Sequence, residues 1–457
     1  MTSFLVRFKK GNMQKSMIEG NTLKLILNFS IPLLLGNLFQ QFYNVVDAAI
    51  VGQTLGSKAL AAVGASSSVQ FLILGFCMGI CQGFAIMVSQ SFGAKKLDEM
   101  HTYIYTGAIW TAITAFVVSI LVVVFCVDIL HILQVNDEIF KDAYAYLVVI
   151  FAGIPFTLLY NYLSAILRAI GDSKTPFLFL AFSAFLNIGL DFFCILVLKW
   201  GCAGAAIATI FAQAVSGILC LLLIAFKVNV LHIPKSSRYV DKKHSLKQLA
   251  MGVPMGLQFS ITAIGSMVMQ SANNALGTIY VSGFTAGMRI KSLMMCPFDA
   301  LGAAVSTFLS QNYGACKLER IHDGYHKGVM VSILYGVFAC VVMVFFGRIL
   351  SMMFVSANES QVLNASALYL RRMGYFYPVL GILITTRMSV QGLGYSARAM
   401  LAGFVEMIAR CIVALCFVPI FKYSAITWAD QTAWVAATLV LIPLWISAMR
   451  TVQKKMS

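Results

Sequence analysis

Long apolar runs, broken only by short polar connections, recur along this chain from residue 24 to residue 450. Twelve such runs stand out: 24–51, 59–89, 102–127, 140–167, 175–199, 202–227, 248–273, 281–309, 327–347, 362–388, 397–421 and 428–450. Each is long enough to cross hydrocarbon as a helix, which takes about 18 or more apolar residues. Only 11% of the residues are charged, whereas ordinary soluble domains carry about 25%. A water-exposed surface cannot be built from that supply. The expected fold is an all-α polytopic membrane protein with twelve transmembrane helices.

The net charge of +16 is a matter of topology. With the N-terminus placed in the cytoplasm, 23 of the 33 Lys and Arg residues fall in inner segments and seven on the outer side. Arg289, Lys291 and Arg410 lie inside spans. That bias predicts both termini inside, by the positive-inside rule, and argues against a nucleic-acid partner. The first 24 residues hold no apolar core before a cleavage site, so no cleaved signal is expected. The eleven cysteines lie mostly within spans without a CxxC pair, and read as small buried hydrophobes rather than a metal site or disulfide set. Five of the six histidines fall in inner connections, which leaves no histidine relay for the membrane core.

The longest polar connection, 227–247, divides six spans from six. The halves resemble each other. The run from Leu55 to Leu97 aligns ungapped with the run from Leu276 to Leu318, pairing Ser89 with Ser310, Gln90 with Gln311 and Gly93 with Gly314. Further along, Pro155, Gly171 and Ser173 meet Pro378, Gly394 and Ser396. Each half holds an even number of spans, so the repeat is parallel, about an axis along the membrane normal. The expected organisation is a tail (1–23), a first lobe (24–227), a linker (228–247), a second lobe (248–450) and a tail (451–457). Paired lobes rocking about a central site suit an alternating-access transporter.

Polar residues within the first lobe mark that site. Gln40, Tyr43, Asn44 and Asp47 follow at spacings of three, four and three and share one helix face. A carboxylate at the bilayer centre costs about 2.5–3.5 kcal/mol or more, so Asp47 should face a cavity or partner. Asn187 and Asp191 lie one turn apart in the fifth span. Counted from the outer connections, Asp47, Asp191 and Thr209 sit at one depth, roughly 12 Å inside. Such an oxygen-rich set suits Na+ or a shared proton. Asn161, deeper in the fourth span, is a further candidate for the cavity. The second lobe breaks the symmetry: Ala414 stands opposite Asp191, Arg410 opposite Asn187, and Val268 or Met269 opposite Asp47. Glu406 and Arg410 form an i,i+4 pair expected to neutralise itself.

These residues resemble the multidrug and toxic compound extrusion (MATE) transporters, in "YNVVDAAIVGQTLG", in "VSQSFGA" with its echo "LSQNYGA", and above all in "ILRAIGDSKTP". The resemblance covers essentially the whole chain and is closer to the DinF-like branch, whose first-lobe acidic residues match Asp47 and Asp191. It implies that Asn187 and Thr209 match that branch's proposed cation site. The NorM-like branch carries a Glu in the seventh helix, where this chain has "VPMGLQFSITA". The resemblance implies antiport of an organic, often cationic compound against Na+ or H+. The resulting reading is an exporter of a bacterial plasma membrane, with the polar stripe of Gln40, Tyr43 and Asn44, and Asn161, along the substrate path. No cofactor and no structural metal are expected, and the chain is read as a lipid-embedded monomer. A lipid-linked oligosaccharide flippase is the nearest alternative, disfavoured by the first-lobe carboxylates. With neither a Walker A pattern nor a catalytic set, an ATP-driven pump and an intramembrane enzyme are disfavoured.

Overall fold

The computed structural model describes residues 16–133 and 135–456; of the expected tails, 1–15 and 457 lie outside the described residues. In hydrocarbon every backbone polar group must be satisfied within its own segment, and the apolar runs accordingly form helices, with no strand among the described residues. The first half holds α1 (Thr22–Leu55), α2 (Ser57–Gly93), α3 (Leu97–Val124), the short α4 (Cys126–Ile132), α5 (Asp137–Ala152), α6 (Ile154–Ala169), α7 (Lys174–Phe192) and α8 (Gly201–Lys227). The second half holds α9 (Lys242–Asn274), α10 (Thr278–Gly314), α11 (Leu318–Ser351), α12 (Ser360–Gly374), α13 (Tyr377–Gly392), α14 (Ser396–Ile412), α15 (Val418–Phe421) and α16 (Tyr423–Met456).

Together they make twelve spans in two six-helix lobes. The fourth span is the pair α5 and α6, bent by 46°. The tenth is the pair α12 and α13, whose three arginines keep it below the apolarity of the others. Both breaks precede a proline, Pro155 or Pro378, at the start of the second piece. There the ring's missing N–H removes no helical bond. Several helices overrun their apolar stretches. The ninth begins at Leu318, nine residues before its apolar run, because Glu319, Arg320 and His322 continue the helix beyond hydrocarbon.

The repeat is written into the backbone. Positive φ occurs at Gly56 and Gly277 (90° and 101°), Lys95 and Cys316 (59° and 55°), Gly171 and Gly394 (93° and 94°), and Lys199 and Lys422 (55° and 48°). These four pairs are separated by 221, 221, 223 and 223 residues, the same register as the sequence match. A left-handed residue costs an L-amino acid roughly 1–2 kcal/mol, so its recurrence at Lys95, Cys316, Lys199 and Lys422 marks inherited turns. A π-helical turn also recurs, at Phe193–Val197 and Val413–Phe417, just beyond Asp191 and Arg410.

The lobes meet at the end that carries both described termini. Along α2 and α9, Gly79 faces the Gly256 backbone and Gly83 faces Gly252, so closely that a methyl group on either would strike main chain. Small residues permit this approach, as in membrane helix pairs generally. Deeper still, Gln90 donates to the Gly392 carbonyl (3.0 Å) and Gln311 to the Ala169 carbonyl (2.9 Å), each reaching into the other lobe. Toward the opposite face the lobes part, leaving Ala61, Gly64, Ser68 and Phe71 of α2 exposed. Helix α1 serves both lobes: Ile26 and Phe29 join the second lobe's apolar core, while Asp47 packs in the first.

Candidate functional site

In the first lobe, α1 brings Asp47 beside Asp191 of α7, the two carboxyls close enough to interact directly. Asp191 is fully buried, Asn187 nearly so, and Asp47 is 8% exposed. The Tyr43 hydroxyl meets the Thr209 hydroxyl at 3.0 Å, and Asn187 donates to Thr209 at 3.4 Å. Tyr146 of α5 lies near both carboxylates and beside Gln70. Both oxygens of Asp191, Oδ1 of Asp47 and Oδ1 of Asn187 meet no donor among the described residues. Four buried oxygens without donors form a cage that a small cation or proton would complete, since a buried acceptor left bare costs about 1–3 kcal/mol.

A small cavity opens beside this cage, lined by Gln40, Tyr43, Ser183, Asn187, Thr209 and Gln213. The predicted residues divide accordingly. Asp47, Asp191, Asn187 and Thr209 come together, with Gln40 and Tyr43 on the adjoining cavity wall. Asn44 is exposed. Asn161 donates to the Thr157 carbonyl of its own helix (2.8 Å) and does not line that cavity.

The second lobe resolves the same positions differently. Asp430 of α16 accepts from Lys291 at 2.6 Å, Arg410 at 3.1 Å and the Tyr369 hydroxyl at 2.7 Å. Glu406 pairs with Arg387 and, at 3.5 Å, with Arg410. Asp299 adds its charge near Arg387. The expected Glu406–Arg410 pair is therefore part of a larger network, and Arg387, at the end of the tenth apolar run, lies mostly buried within it. Asp430 and Tyr369 escaped the sequence reading, although Ser424, Thr427 and Asp430, three apart in α16, form a polar stripe that could have marked Asp430. The alignment register does hold a signal for the rest: Gln70 matches Lys291, Tyr146 matches Tyr369 and Asn187 matches Arg410. Where the second lobe has built-in cations around a carboxylate, the first has neutral amides around two.

The family model described as MatE matches residues 32–193 and 254–416, one copy in each lobe. The chain belongs to the MATE family. It is 31% identical over 417 residues to "Probable multidrug resistance protein YpnP" of Bacillus subtilis, covering 90% of each chain. It is 25% identical to "Probable multidrug resistance protein NorM" of Thermotoga maritima, covering 90% of this chain and 89% of that one. A crystal structure of a MATE protein in complex with MaL6 superposes with a TM-score of 0.90 at 21% identity, over 96% of this chain and 99% of the other. As a MATE protein the chain is a transporter rather than an enzyme. Its paired lobes and central cleft are the family's architecture, held here by the cross-lobe contacts of Gln90, Gln311 and the glycines of α2 and α9.

Proposed function

We propose that this MATE transporter is a secondary multidrug exporter, which moves small organic compounds out of a bacterial cell against Na+ or H+. The observation that carries this reading is the contrast between the lobes. In the second, Lys291, Arg410 and Arg387 offset Asp430 and Glu406 permanently. In the first, no Lys or Arg pairs with Asp47 or Asp191, and both oxygens of Asp191 and Oδ1 of Asp47 lack donors among the described residues. Such a site takes an exchangeable cation where its twin holds fixed ones.

Asn187 and Thr209 complete the cation's oxygen shell in this reading, and Gln40 and Tyr43 line the approach, with Asn44 and Asn161 further along the path. Cation entry relieves the repulsion between the carboxylates and lets the outer part of α1 repack against α7. Pro32, inside α1, removes one helical hydrogen bond and allows the two parts of the helix to move separately. The other part of α1 sits in the second lobe's core, so the change reaches both lobes. Only a differential effect of the ion on two conformations can drive export. The relatives' printed names, "multidrug resistance" proteins, support the substrate class. The chain works in the plasma membrane with both termini and the 228–247 linker cytoplasmic, as the distribution of Lys and Arg predicts. Export from proteoliposomes, with sodium and proton gradients imposed separately, tests this. One of the two gradients drives accumulation of the compound, and transport with neither refutes ion coupling.

A further inference from the structure

Between residues 281 and 314, α10 exposes four side chains, Ser282, Thr285, Arg289 and Asp299, and all four are polar. Lipid-facing helices of this chain look different. Neighbouring α11 exposes Leu334, Phe338, Val341, Phe345 and Ile349. Thr285 is satisfied by the Val281 carbonyl of its own helix (2.8 Å), but Arg289 and Asp299 are charged, and a charge facing hydrocarbon is costly, so this face of α10 borders water within the protein.

Helix geometry says which water. Lys291 points into the second lobe at Asp430, and Arg289, two residues away, lies on the opposite side at 100° per residue. Two turns further along Arg289's own face, the Cys296 carbonyl accepts from Asn37 of α1. Near the end of that face, Gly314 abuts Gln90 of α2. This is the face that meets the first lobe. At the level of Arg289 the lobes have parted, so the guanidinium stands in the cleft between them.

Charge singles this residue out. In the second lobe's network Lys291, Arg387 and Arg410 are all engaged by Asp430 and Glu406, while the exposed Asp299 adds its charge near Arg387. Arg289 takes no part in it and meets no hydrogen-bond or ion-pair partner among the described residues. An uncompensated guanidinium within a membrane-spanning cleft presents five N–H donors suited to carboxylate or phosphate oxygens.

We infer that Arg289 is a substrate-binding residue, and that the transported class includes amphipathic organic molecules carrying an acidic group, which docks on this guanidinium with the Ser282 hydroxyl beside it. This rests on the exporter reading, but the test needs no ion gradient. Rhodamine B carries a free benzoate, and its methyl ester replaces that negative charge with a neutral, one-methyl-larger group. Fluorescence polarisation with the purified full chain should show tighter binding of the acid than of the ester. Arg289→Gln should weaken the acid by about tenfold or more, the scale of a charged hydrogen bond, while changing the ester less than about twofold. Arg289→Lys, which keeps the charge, should retain most of the preference. Equal losses for both dyes, an unchanged preference in Arg289→Gln, or a wild type that binds neither dye overturns the assignment. Failure of both gradients to drive export, with the dye preference intact, would instead refute the coupling scheme alone.

Discussion

A single asparagine-for-aspartate change separates charge from shape at the first-lobe cage. Asp191→Asn removes the charge that the entering cation neutralises, so coupled export should fall to background while expression stays normal. Retained export with the usual ion dependence would move the site elsewhere. Asp47→Asn should flatten the response of drug binding to ions. In the wild type, affinity for a permanently charged cationic drug should weaken as pH falls from about 8 to about 5 or as sodium rises, because a proton or Na+ neutralises the carboxylates that attract it. Constant wild-type affinity under both titrations would make Asp47 structural. The second lobe answers oppositely. Asp430→Asn strips a buried carboxylate from Lys291 and Arg410, and breaking such a network costs about 3–5 kcal/mol. Thermal stability and folded yield should drop, while each folded molecule keeps its ion dependence. Loss of that dependence at normal stability would place coupling in the second lobe.

At the level of helices, the glutamines of α2 and α10 hold one end of the lobes together. Gln90 and Gln311 each donate to the last turn of a helix in the other lobe. Gln311 also accepts from the Met17 backbone at 2.8 Å, and Arg320 and Lys317 donate to carbonyls of the same 17–20 segment. Replacing Gln90 and Gln311 together by Ala should shift the molecule toward the state separated at this end. Each bond is worth about 1 kcal/mol, so the population ratio should move by about tenfold or more. Spin labels on Cys316 and on a cysteine at Lys96, with the exposed Cys416 replaced, would report the distance. An unchanged distance distribution would mean that the glycine contacts of α2 and α9 suffice alone. These helix contacts were only half visible in the chain. The paired Gln90 and Gln311 stand out in the repeat, but that each grips the opposite lobe depends on the axis between the lobes.

For the molecule as a whole, orientation is the open quantity that charge predicts. Ser236 is exposed in the connection between the lobes. A cysteine placed there should stay unlabelled by an impermeant thiol reagent on intact cells and react after lysis. Strong labelling of intact cells would invert the topology, and with it the direction of the proposed export. The lobes are alike in backbone and unlike in charge, and the alternating-access scheme needs both properties. Shared turns let the halves rock as equivalents, while the unbalanced first lobe gives an entering ion something to change.

The chain by itself determined the spans, the repeat and the first-lobe residues. Hydrocarbon admits few structures, and a charge inside it must be explained by a partner or a cavity. Asp47, Asn187, Asp191 and Thr209 were found by helix spacing and depth, both of which are local to the sequence. Partners contributed by distant helices were not. Asp430 looks like an isolated carboxylate in α16 until Lys291 and Arg410, 139 and 20 residues away, close on it. Asn44 and Asn161 share the polarity of their neighbours, yet exposure and a bond to Thr157 set them apart. Arg387 counts as a surface charge until α13 turns it onto Glu406. Periodicity tells which face of a helix is polar; only packing decides what that face meets.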